Sequence, residues 1–105
     1  MLEKQKALDR DILRYLEPYN LDHAATGFSF LVDSINLLLS EESLRQKRRI
    51  MLVYDAVAEM NQCRFTRVER AIRLLLKKSN CGMVNSVFIF KAADDMWLKR
   101  QEEPP

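Results

Sequence analysis

The sequence predicts an all-α fold: a compact domain of five to six helices that contains a helix-turn-helix. Two glycines and three prolines in 105 residues leave little material for the tight turns of hairpins. Apolar residues recur instead at helical spacing along most of the chain. With 48% hydrophobic and 30% charged residues, the composition is that of a folded globular chain. A chain of this length holds one modest core, so residues 1–105 are expected to form a single domain.

The first helix is predicted over residues 3–17, with Leu8, Ile12, Tyr15 and Leu16 on one face. Pro18 ends it, because the residue before a proline is pushed away from helical dihedrals. Asn20 and Asp22 are turn formers and mark the loop that follows. A second helix is predicted from about Ala24 to Leu39. It carries Phe28, Leu31, Ile35, Leu38 and Leu39, with Phe30, Val32 and Leu37 alongside, so it is apolar around most of its circumference and belongs at the centre of the core. Gly27 inside it costs roughly 1 kcal/mol relative to alanine; close packing against a neighbouring helix accounts for its presence.

Ser40 or Ser43 is the expected cap of a third helix that continues through Met51 to about Tyr54. Its first turns are solvated and its later ones apolar. Asp55 either caps a new helix, Ala56 to Met60, or lets the third run straight through; the residues allow both. Asn61 to Arg64 form a turn and Thr66 to Lys78 the next helix, so the helix-turn-helix spans about 55–78. Asn80 or Gly82 supplies the left-handed residue that stops it. Asn85 or Ser86 caps the last helix, which places Phe88, Ala92 and Met96, with Trp97 beside them, on the core. Gln101 to Pro105 are expected to fray.

The helix from Thr66 carries the functional signal. Thr66-Arg67-Val68-Glu69 has the form of a capping box, in which the Thr66 hydroxyl accepts from an N–H three residues on and Glu69 reaches back. Arg67, Arg70 and Arg73 follow at every third position, away from Val68, Ala71, Ile72 and Leu75. At ~100° per residue, they cover a flank of roughly 120°. A helix pinned by one face and showing guanidinium groups on another suits a DNA major groove. The same pattern equally describes an ordinary amphipathic helix with a solvated basic face. Net charge is only +2, but the distribution is uneven. Six basic residues lie between Arg64 and Lys78 against the single acid Glu69, and Arg45, Lys47, Arg48 and Arg49 form a second basic cluster. Such a stripe on a nearly neutral chain is a plausible footprint for a phosphate backbone.

Other classes find little support. The charged N-terminus is unlike a secretory signal, and no apolar run approaches the ~20 residues that span a bilayer. Cys63 and Cys81 have no CxxC spacing and His23 is the only histidine, so no metal ion or other cofactor is expected and the cysteines read as reduced thiols of a cytoplasmic protein. Asp9, Asp11, Asp33, Asp94 and Asp95 are scattered, with no nucleophile–base pair and no glycine-rich phosphate loop, which argues against an enzyme or a small-molecule substrate.

Read in order, these segments resemble the C-terminal effector domain of stage-zero sporulation protein A, a response regulator that commits bacteria to sporulation. Thr66-Arg67-Val68-Glu69-Arg70-Ala71-Ile72-Arg73 answers the family's SRVERAIR almost letter for letter. Val53-Tyr54 and Val57-Ala58 fall on its LYPDIA segment without gaps. Gly27, Phe28, Phe30 and Leu31 are similar to a GYLYL-like helix upstream, and Asn85-Ser86, Phe88-Ile89 and Ala93-Asp94 to a final NSEFIxxxAD helix. The similarity covers about residues 12–100. It implies a six-helix-like domain whose helix-turn-helix enters the major groove of double-stranded DNA. By position, Arg67, Glu69 and Arg70 would reach base edges, while Thr66 and Arg73 would contact phosphate or the groove edge, with Lys77 a weaker candidate. Arginine suits guanine O6/N7 and glutamate can accept from cytosine N4. Glu69 thus has two roles open, cap and base reader.

Four departures from the family stand out. No receiver domain precedes the effector in this sequence; if the chain is complete, switching by phosphorylation in the family's manner is not expected. The connection after the recognition helix is cut to about Ser79–Val84. Leu74 stands where the family usually carries histidine, and near the arginine face a leucine suits either a thymine methyl or a protein interface; Asp55 stands where the family carries proline. The favoured expectation is a sequence-specific, cytoplasmic, nucleoid-associated transcription regulator, pairing as a homodimer on repeated half-sites as the family does. The alternative is a helical interaction module that keeps the fold, has little specific DNA binding and docks on another regulator.

Overall fold

The computed structural model describes residues 10–102, and among them there is no strand. Helix α1 is described over 10–16 and runs into a 3-10 turn, Glu17–Tyr19, that carries Pro18. Leu8, expected on the α1 core face, lies outside the described residues; Ile12 and Leu16 are fully buried. Helix α2 is Thr26–Ser40, α3 Glu42–Lys47, α4 Ile50–Met60, α5 Phe65–Ser79 and α6 Asn85–Glu102. Gln101 and Glu102 thus extend the last helix rather than fray from it, and the rest of that expected tail, 103–105, lies outside the described residues.

Helix α2 is the hub. It packs against α3, α4, α5 and α6, as its nearly all-round apolar sequence requires. Phe28, Phe30, Leu31, Ile35 and Leu38 are buried, and Ser34 satisfies its buried hydroxyl by donating to the Phe30 carbonyl at 2.8 Å. Phe28, Leu31 and Ile35 meet Val57 of α4, Val68 and Ile72 of α5 and Phe88 of α6 in one contiguous cluster. Gly27 has a specific reason. A Cβ there would sit 2.2 Å from the carbonyl oxygen of Ala71, so only a residue without a side chain lets the α2 and α5 backbones come this close.

The break between the third and fourth helices differs from the expectation. It falls at Arg48, which adopts left-handed dihedrals (φ 57°), and at the extended Arg49. Helix α4 then runs unbroken through Asp55. Aspartate keeps the backbone N–H that a proline lacks, so nothing interrupts the ladder at that point. The chain turns earlier because α3 is tied to α6. The guanidinium of Arg45 lies 4.9 Å from the centre of the Trp97 ring and donates to the Leu38 carbonyl at 2.9 Å. Arg48 pairs with Asp94 at 2.5 Å and lies over Phe90. Nor does a serine cap α3: its N-cap is Glu41, and Ser40 instead donates back to Asn36 and Leu37.

The first and last described helices are joined by a polar clasp. The Tyr15 hydroxyl and the Lys91 ammonium both donate to Asp95, each at 2.7 Å. These bonds, Lys91 first, hold the Asp95 carboxyl below its usual range. Burial and the same carboxylate push the Tyr15 phenol up.

Candidate nucleic-acid interface

Helices α4 and α5 are separate and joined by a four-residue turn, residues 61–64. Gln62 takes left-handed dihedrals (φ 53°), and the Cys63 N–H returns to the Ala58 carbonyl at 3.0 Å, closing the end of α4. Helix α5 then begins at Phe65 with Arg64 as its N-cap. This start lies upstream of the expected one. It puts Thr66 inside the first turn, where its hydroxyl makes no cap hydrogen bond, so the capping box does not form. At the other end Asn80 is left-handed and donates its N–H to the Lys77 carbonyl, and Gly82 is left-handed as well. Of the two residues expected for this stop, Asn80 is the cap, and Gly82 turns the connection that follows.

The two sides of α5 differ sharply. Val68, Ile72, Leu75 and Leu76 are buried against the core. Ala71 is half-buried beneath Gly27. Arg64, Arg67, Arg70, Leu74, Lys77 and Lys78 are exposed. Among the described residues, the side chains of Arg64, Arg67 and Arg70 form no ion pair or hydrogen bond. A periodicity of ~100° per residue explains this division, since Arg67 and Arg70 project on the side opposite Ile72 and Leu76. Cys63, Arg64, Thr66, Arg67 and Arg70 together line a shallow surface depression at the start of the helix.

The expected site residues fall into two groups. Arg67, Arg70 and Lys77 share the outward face. Thr66, Glu69 and Arg73 lie along the neighbouring flank. Glu69 is half-buried, and its carboxylate faces Arg73 at 3.6 Å, one turn further on. Its backbone carbonyl accepts from the buried Asn85 side chain at 3.0 Å. Tyr54 of α4 is buried on the same side, and burial pushes its phenol above the usual value. Asn85 is therefore an anchor that fixes α5 from α6 rather than a helix cap. Sequence reasoning missed this role because an asparagine before an apolar run has the form of a cap, and only long-range geometry tells the two apart. Arg64 was also missed as a member of the exposed set. The signal was present, since it continues the three-residue spacing of Arg67, Arg70 and Arg73 by one step.

Two of the four residues of the second basic cluster are committed elsewhere. Arg45 is buried and Arg48 is committed to Asp94, so neither extends the free cationic face of α5. Cys63 and Cys81 are free thiols. No described helix is long and apolar enough to cross a membrane.

Comparison with curated proteins and with solved structures gives no match. Against protein families, residues 12–100 match the one described as sporulation initiation factor Spo0A C terminal, a DNA-binding domain of transcription regulators. That span runs from Ile12, the first buried residue among those described, to the last turns of α6, and so takes in the described core and the exposed arginines that it positions. The chain belongs to the Spo0A C-terminal family.

Proposed function

We propose that this domain is a sequence-specific transcription regulator that reads the DNA major groove with α5. The carrying observation is the exposed set of the N-cap Arg64 with Arg67 and Arg70, unpaired among the described residues, at the start of a helix whose opposite face is locked in the core. Recognition helices contact base edges mainly through their N-terminal residues. In this reading Arg67 and Arg70 take guanine edges, and Glu69 accepts from cytosine where its flank meets the groove. Thr66, Arg73 and Lys77 hold the phosphates on either side. The Glu69–Arg73 pair opens on binding, at little cost because it is long and partly solvated.

The whole chain acts as one domain in the cytoplasm, on the nucleoid, and needs no cofactor or small-molecule substrate. One domain of this size covers too few base pairs for high specificity, so two copies bind repeated half-sites. The test compares wild type and Arg70→Ala on a preferred and a scrambled duplex at one salt concentration. Arg70→Ala should lose roughly 10- to 100-fold on the preferred duplex and much less on the scrambled one, since a bidentate arginine–guanine contact carries ~1–3 kcal/mol of discrimination. Arg70→Lys should not restore the loss, because an ammonium lacks the planar fork. Equal wild-type affinity for both duplexes would instead favour an interaction module that docks on another regulator.

A further inference from the structure

Leu74 has no structural account among the described residues. It is 53% exposed and stands outside the hydrophobic core cluster. It lies in the middle of the outward face of α5. At ~100° per residue, it falls within roughly 60° of Arg67, Arg70, Lys77 and Lys78 around the helix axis. It also sits about 6 Å beyond Arg70 along that axis. An apolar side chain ringed by four cations is poorly placed in water. Its surroundings match a polyanion that displays apolar groups between its charges. Duplex DNA does this in its major groove, where the thymine 5-methyl is the apolar group on the base edges. Beside Leu74, a cleft of about 390 Å³ runs between α5 and the start of α2, lined by Thr26, Gly27, Arg67, Ala71 and Lys78 among others. Gly27 and Ala71 bring the two helices together at that wall, and Leu74 stands on its rim.

On the reading of α5 as the groove-entering helix, we infer that Leu74 is a specificity-determining residue that selects a thymine methyl, close to the base read by Arg70. Arginines alone favour guanine; the leucine adds a preference for T at one defined position of each half-site.

The test uses a duplex selected by the wild-type protein from a random-sequence pool. Each thymine in it is then replaced singly by deoxyuridine, which removes the methyl and nothing else. One such replacement should weaken wild-type binding about three- to tenfold, the order expected for uncovering one methyl group. Leu74→Ala should bind the thymine and uracil duplexes equally. Leu74→Met, which keeps the apolar reach, should retain the sensitivity. A wild type indifferent to every replacement, a selected site with no thymine, or a Leu74→Ala protein that still distinguishes thymine from uracil would overturn the inference while leaving the DNA-reading function in place. Failure of the pool to yield any preferred sequence would overturn both.

Discussion

The chain carries two basic clusters of similar sequence appearance, and the fold uses them in opposite ways. On α5, Arg64, Arg67 and Arg70 are exposed and unpaired among the described residues, and their helix is held by the face they leave. Around α3, Arg45 is buried under Trp97 and bonded to a carbonyl of α2, while Arg48 closes an ion pair onto α6. The first cluster keeps its charge available to a ligand; in the second, Arg45 and Arg48 commit theirs within the fold, while Lys47 and Arg49 stay exposed. The difference is one of surroundings. Arg45 and Arg48 face an aromatic ring and a carboxylate supplied by α6. No described residue supplies a partner to Arg64, Arg67 or Arg70. A count of cations along the sequence therefore overstates the binding surface, and the contrast can be tested.

The sharpest break would come from the hub that both clusters share. Gly27→Ala forces a methyl group against the Ala71 carbonyl. The two helices must separate, and overpacking of this kind costs about 1–3 kcal/mol or more, well beyond the roughly 1 kcal/mol that alanine returns in helix propensity. Thermal unfolding should show a clear fall in Tm and DNA binding should weaken with it. An unchanged or raised Tm would mean that α2 and α5 are not in this close contact.

Next comes the division between the clusters themselves. Arg45→Ala removes a buried hydrogen bond, a cation–π contact and the packing of the side-chain stem, and should cost about 2–3 kcal/mol of stability. Binding to DNA by the protein that remains folded should be unaltered. Arg70→Ala should do the reverse, sparing stability and losing sequence discrimination. If chemical denaturation found Arg45→Ala as stable as wild type, the proposed contrast between a structural and a ligand-facing cluster would fail.

A finer version uses salt. Arg73→Ala should lower the dependence of log affinity on log salt by about one unit, as loss of one phosphate contact does. Arg48→Ala should leave that slope unchanged, because its guanidinium is already held by Asp94. Equal slopes for the two variants would erase the distinction.

The smallest expected effect lies away from both clusters, at the clasp of Asp95 with Lys91 and Tyr15. The folded-state carboxyl is depressed, so its contribution is present above the unfolded carboxylate value and is lost as pH falls through the folded one. Asp95→Asn should lower Tm at neutral pH by about 1–5 °C, a modest figure because the side chain is partly solvated. The gap should close as pH is taken below the ordinary carboxylate range. A gap that widened in acid would show that the carboxyl is not held down by these partners.

Much is legible in the sequence because local chemistry dictates it. Helical spacing set the core faces of α2, α5 and α6, and the near-absence of glycine and proline set the all-α class. The run from Thr66 to Arg73 was specific enough to point to the family. Gly27 inside an apolar helix points to close packing, although not to the backbone it meets. These features rest on periodicity, turn chemistry and short motifs, which act within a few residues. What the sequence could not decide was every choice made by a distant partner. The break moved to Arg48 because α6 holds Arg45 and Arg48. Thr66 and Glu69 did not form a box because α5 starts at Phe65. Glu69 faces Arg73, and Asn85, which looked like a cap, anchors the Glu69 carbonyl 16 residues away. Composition shows that a side chain is polar or charged; whether that group faces solvent, a ligand or a neighbouring helix is set by packing across the chain, where burial makes an unpaired polar group too costly to leave unmatched.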